Sequence, residues 1–154
     1  MRTLALGFLF LTAALTIRAA DPVLGTWHLD VAKSRYDPGP PPKSQTRRYR
    51  EENGEVKAVV ITTYKNGNTD TVHYPANYDG KEHPVSGSPD TDGILMKRVD
   101  EYTAESILTH AGRTIGTTRR TVSRDGQTMT ITFTGPGPTG DPVINRAFYE
   151  KEKE

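Results

Sequence analysis

Residues 124–134 read RDGQTMTITFT, and the alternation within them decides the fold. Met129, Ile131 and Phe133 fall on one face of an extended chain, while Thr128, Thr130, Thr132 and Thr134 fall on the other. Asp125-Gly126, just before the run, is a pair that tolerates positive φ at both central residues. Such pairs favour the tight turns that join twisted antiparallel strands. The stretch therefore reads as a turn followed by a strand with one apolar and one hydroxyl-bearing face.

Working outward, four similar pairs occur at intervals of thirteen: Asn53-Gly54, Asn66-Gly67, Asp79-Gly80 and Asp92-Gly93. Their flanks do not repeat, so the spacing predicts a meander of strands of similar length. Val56, Ala58, Val60, Thr62 and Tyr64 share a face of one such strand. The strands are predicted at 24–31, 44–52, 55–65, 68–76, 78–85, 93–99, 102–110, 113–123, 127–134 and 142–151. Val31 to Tyr36 is predicted as one short helical turn, stopped by Asp37-Pro38. The proline-rich Asp37 to Pro42 is expected to run as polyproline II, and Gly135 to Pro142 as an irregular surface loop. Short antiparallel strands without crossover helices leave a sandwich or a barrel. Sequential hairpins favour an all-β, up-and-down barrel of about eight to ten strands, and closure removes exposed edges.

Composition sets the compartment and excludes several classes. Residues 1–19 hold 13 of the 52 apolar residues and pair Met1-Arg2 with the uncharged run Leu4 to Leu15. They read as a signal peptide cut after Ala19, leaving 20–154 as a single domain. That remainder carries 18 basic against 19 acidic residues, a net charge of about −1. A near-neutral, mixed surface has no electrostatic footprint for nucleic acid. Neither does the remainder contain an apolar run long enough to span a bilayer as a helix. There is no cysteine, hence no disulfide framework and no attachment point for a lipoprotein anchor. The expectation is an exported monomer, periplasmic or extracellular.

Gly25-Thr26-Trp27 opens the first strand. Near the other end, Arg120 precedes the Asp125-Gly126 turn, and the last strand carries Arg146-Ala147-Phe148-Tyr149-Glu150-Lys151. This arrangement resembles the lipocalins and fatty-acid-binding proteins, the calycin barrels, in a lidless bacterial form. The resemblance implies a tryptophan at the closed end of a barrel, with Gly25 and Trp27 as the floor motif. It also implies that Arg120 and Arg146 reach a ligand's polar end. Here Phe148 stands where that family places a tyrosine, and Ala32 to Lys43 is too short and proline-rich to hold its helical lid.

The candidate ligand-binding residues are Arg120 and Arg146 for a polar head, with Tyr64, Met129, Ile131 and Phe133 around an apolar body. Arg146 has a second reading, as a cation–π cap over Trp27. Arg47, Arg48 and Arg50 read as a solvated strand with Glu51 and Glu52 as counter-ions. His28, His73, His83 and His110 show no metal-ligand spacing, so no cofactor is expected, although a haem bound through one of them is an alternative. No nucleophile elbow, zinc-protease motif or phosphate loop is present. The function expected is non-catalytic binding of a small apolar or amphipathic molecule. A filled barrel serving envelope structure or protein interaction is one alternative, and a small barrel enzyme such as an isomerase is another.

Overall fold

The computed structural model describes residues 19–153, so the expected leader lies outside the described residues apart from Ala19. Ten strands follow in chain order: β1 (Gly25–Asp37), β2 (Ser44–Glu52), β3 (Glu55–Thr63), β4 (Thr69–Pro75), β5 (Asp79–Pro84), β6 (Gly93–Arg98), β7 (Thr103–His110), β8 (Arg113–Val122), β9 (Thr128–Pro136) and β10 (Pro142–Lys151). They form one antiparallel sheet in the order β4-β3-β2-β1-β10-β9-β8-β7-β6-β5. Every pairing but one joins strands adjacent in sequence, and β1 with β10 supplies the exception. The outer edges, β4 and β5, meet through the bridge between His73 and Ser86, whose two backbone hydrogen bonds are 2.9 and 3.0 Å. The result is a nearly closed up-and-down barrel.

The turn chemistry explains most of the hairpins. Asn53 and Gly54 both adopt positive φ (53° and 79°) and close β2 onto β3 with residues 47 and 60, 49 and 58 opposite each other. Ala111-Gly112 does the same between β7 and β8, with φ of 48° and 74° at a pair whose first residue gives no turn signal. Two of the regularly spaced pairs are not turns. Asp79-Gly80 opens β5 at an irregularity in its pairing with β6, and Gly93 is the buried first residue of β6. The interval of thirteen is therefore not a structural period.

β1 corrects the expected helical turn. It continues as strand to Asp37, with a bulge where Asp30 pairs with Phe148 but Arg35 pairs with Arg146. Ser34 stitches the bulge: its hydroxyl donates to the Asp30 carbonyl at 2.6 Å and accepts from the Phe148 N–H at 2.9 Å. The Asp30 carboxylate also accepts from the Lys33 N–H at 3.1 Å. These are turn-like contacts, but they relieve extra residues in a ladder and start no helix. At the other irregular segment, β9 and β10 extend inward until Pro136 and Pro142 pair, which shortens the expected loop to Gly137–Asp141.

One end of the barrel is sealed. Val23, Trp27, Tyr49, Met129 and Tyr149 are its largest fully buried side chains, packed with Ala58, Val122 and Ala147. The Trp27 indole N–H donates to the Val23 carbonyl at 2.7 Å, tying the segment before β1 across the floor. A second cluster of Ala76, Val85, Ile94, Met96 and Ala104 fills the β4–β7 side.

Candidate functional site

Above this floor, the inward faces of β2, β4, β8 and β10 bring together side chains that are not apolar. β2 turns Gln45, Arg47 and Tyr49 inward, since each opposes Thr62, Val60 or Ala58 on the inner face of β3. β8 contributes Arg120, opposite Ile131, and β10 contributes Tyr149, opposite Met129. A cavity of about 210 Å³ lies among them. Its walls include Val60, Val72, Ile94, Met96, Leu108 and Ile131, with Arg47, Tyr49, Tyr74 and Arg120 toward the floor. Among the described residues, no acidic side chain lines it.

The phenols hold the two guanidinium groups. Arg47 Nε donates to Tyr149 Oη and Gln45 Oε1, both at 3.0 Å, and its Nη1 lies 3.5 Å from Tyr74 Oη. Tyr49 and Tyr74 share a hydrogen bond of 3.2 Å. Arg120 lies over the rings of Tyr49 and Tyr78, at 5.4 and 5.7 Å from their centroids. Its Nη2 donates to Tyr78 Oη at 2.5 Å, and Tyr78 in turn donates to Asp21 Oδ2 at 2.8 Å. Asp21 is already paired with Arg98, whose Nη2 is 2.6 Å from the same oxygen. Burial opposes ionisation of Asp21, but the Val23 N–H, Tyr78 and Arg98 hold its carboxyl below the usual range. Arg120 is therefore linked to the Asp21 carboxylate through a phenol.

Arg120 is 5% exposed, and its Nε and Nη1 have no hydrogen-bond partner. An arginine has five N–H donors and cannot shed its charge. A buried cation with donors unmet is costly, of the order of several kcal/mol. Two buried guanidinium groups in a lining without a carboxylate make the cavity electropositive.

The same charges set the order in which the phenols ionise. Burial raises Tyr74, Tyr78 and Tyr149. Tyr36, on β1, is pushed up to about 12 by burial and by Tyr149. Burial would also raise Tyr49, but Arg47 and Arg120 on its two sides outweigh it and the net shift is downward. The unfolded chain releases its phenolic protons near pH 10, while four of these phenols keep theirs in the native state. Stability held below pH 10 should thus fall between pH 10 and about 12. Tyr49 works in the opposite direction. Ultraviolet titration of the native protein should show Tyr49 ionising ahead of Tyr36, Tyr74, Tyr78 and Tyr149, and Tyr49→Phe should remove that early step alone.

The predicted residues are placed as follows. Arg120 and Ile131 line the cavity, and Met129 lies beneath it in the floor cluster. Phe133 is inward and half-buried, its ring close against Gly116 and Gly135. Tyr64 is 41% exposed, one residue past the end of β3. Trp27 and Gly25 occupy the floor. Arg146 is exposed on the outer face, opposite Thr132 and Arg35. It reaches neither the cavity nor Trp27, because the residues of β10 that turn inward are Ala147 and Tyr149. Lys151 is the cation over the Trp27 ring, at 5.3 Å. The expectation that Arg47 is solvated is also corrected, since its hairpin partner Val60 faces the interior. None of the four histidines lines the cavity, and no group of three His, Cys, Asp or Glu among the described residues could hold a metal.

No protein-family model, curated protein or solved structure matches the chain.

Proposed function

We propose that this barrel, lipocalin-like in architecture, binds a small amphipathic anion without transforming it. The polar end would meet Arg120 and Arg47, and the body would rest on Val60, Ile94, Met96, Leu108 and Ile131. The observation that carries this reading is Arg120, buried with two nitrogens unpartnered beside a cavity that has no acidic wall. A structural arginine in a filled barrel would be expected to have its donors met. An anion supplies what the fold withholds, and the gain is large because the charge is already desolvated. Export of the chain to the periplasm or medium is part of the proposal and rests on the sequence of its first nineteen residues.

Binding of an anionic apolar dye separates this reading from adsorption on the outer face. Arg120→Met should weaken binding at least tenfold, about 1.4 kcal/mol or more. Arg146→Met, on the outside, should leave it unchanged. Equal affinities in all three proteins would remove Arg120 from the site.

A further inference from the structure

Two features of the cavity, its size and the placement of its polar groups, specify the ligand more closely than charge alone. We propose that the ligand is a compact carboxylate whose apolar body is no larger than one aromatic ring, as in benzoate or phenylacetate. This rests on the anion-binding reading above and narrows it.

Size comes first. An apolar cavity of about 150 Å³ holds a benzene ring. The cavity here, about 210 Å³, is larger by room for a few more atoms. On that scale it admits about eight to ten non-hydrogen atoms, which a ring and a carboxylate fill. A sixteen-carbon chain would need roughly twice the space.

The second feature disfavours the route a longer chain would take. The floor end is sealed by Val23 and Trp27, both with no exposed surface. Toward the other end, the next inward residues beyond Arg47 and Val60 are Gln45 and Thr62. They are joined by a hydrogen bond of 2.8 Å from Gln45 Nε2 to Thr62 Oγ1. The β5–β6 connection adds Ser88 and Thr91 to the lining at that end. An alkyl tail leaving the apolar wall would have to pass these amide and hydroxyl groups and strip their water.

The head group follows from the donors. Two guanidinium groups flank Tyr49, and no metal ligand or acidic group accompanies them. A planar carboxylate offers two oxygens with four acceptor sites, a match for the guanidinium groups that Arg47 and Arg120 bring to the lining. Neutral isosteres such as benzyl alcohol lack the charge that makes burial of Arg120 favourable.

Calorimetric titration of residues 20–154 with benzoate, phenylacetate, benzyl alcohol, octanoate and palmitate tests the class. Benzoate or phenylacetate should bind at least tenfold more tightly than both palmitate and benzyl alcohol, and Arg120→Met should abolish that preference over the alcohol. Palmitate binding more tightly than the ring acids, and still requiring Arg120, would overturn the compact-ligand inference while leaving the anion site standing. Binding of any of these acids that is indifferent to Arg120→Met would overturn both. So would absence of binding by all four acids.

Discussion

Replacing Arg120 with methionine is expected to make the empty barrel more stable, by about 1–4 kcal/mol, while removing its affinity for anions. The side chain is 5% exposed, and two of its three nitrogens are unpartnered. Methionine fills a similar length of apolar space beside Ile131 and Ala104, which oppose it on the neighbouring strands. Tyr78 keeps its hydrogen bond to Asp21 in the variant, so no new buried donor is stranded. The desolvation of a guanidinium is therefore removed without a cavity in its place. Urea unfolding of both proteins, each first freed of small molecules by unfolding and refolding, gives the difference directly. A loss of several kcal/mol would mean that the charge is satisfied in the native barrel and supports the fold. Retention of a destabilising residue is what a binding site demands of a scaffold.

The second large effect concerns the floor. Trp27→Ala should cost about 3–5 kcal/mol, the range for deleting a fully buried aromatic side chain. Trp27 has no exposed surface and packs in the same cluster as Val23, Met129 and Tyr149. It also anchors Val23 through its indole N–H and carries Lys151 over its ring. Trp27→Phe retains most of the apolar area but loses the indole hydrogen bond, and a smaller cost of about 1–3 kcal/mol is expected. Thermal unfolding of the two variants beside the parent checks the order. Equal losses would show that the hydrogen bond, rather than the packed ring, holds the floor.

The barrel was legible because its information is local. Alternation over Thr128–Thr134 and turn signals at Asn53-Gly54 and Asp125-Gly126 locate strands without knowledge of what they pair with. Ala111-Gly112 lacks a signal at its first position, and the hairpin it closes still falls between the strands predicted at 102–110 and 113–123. The Asp79 and Asp92 pairs misled in the other direction, since a residue that permits a turn does not require one. In β1 the segment Val31 to Tyr36 carries no strand signal of its own, and the i to i+3 and i+4 contacts of Asp30 with Lys33 and Ser34 sit inside a bulge. Only the re-pairing of Arg35 with Arg146 shows that the chain remains in the ladder.

The site was half legible, for a related reason. Arg120 lies two residues from Val122, and residues two apart on a strand share a face, so both are buried on the inner side. Arg47 was missed although the signal existed. A two-residue turn at Asn53-Gly54 puts Arg47 opposite Val60, and residues opposite one another across a hairpin share a face. Its charged neighbours Arg48 and Arg50 obscured that relation. Arg146 was placed by analogy of position in the last strand. Its orientation depends on the register of β10 against β9, and the Gly137–Asp141 connection does not specify that register from sequence.

The most direct test of an anion site around Arg120 is native mass spectrometry of the protein purified without denaturation. The account predicts a discrete added mass on the parent protein, released by organic solvent as a small acid, present in Arg146→Met and missing from Arg120→Met. The same mass retained by Arg120→Met would contradict it.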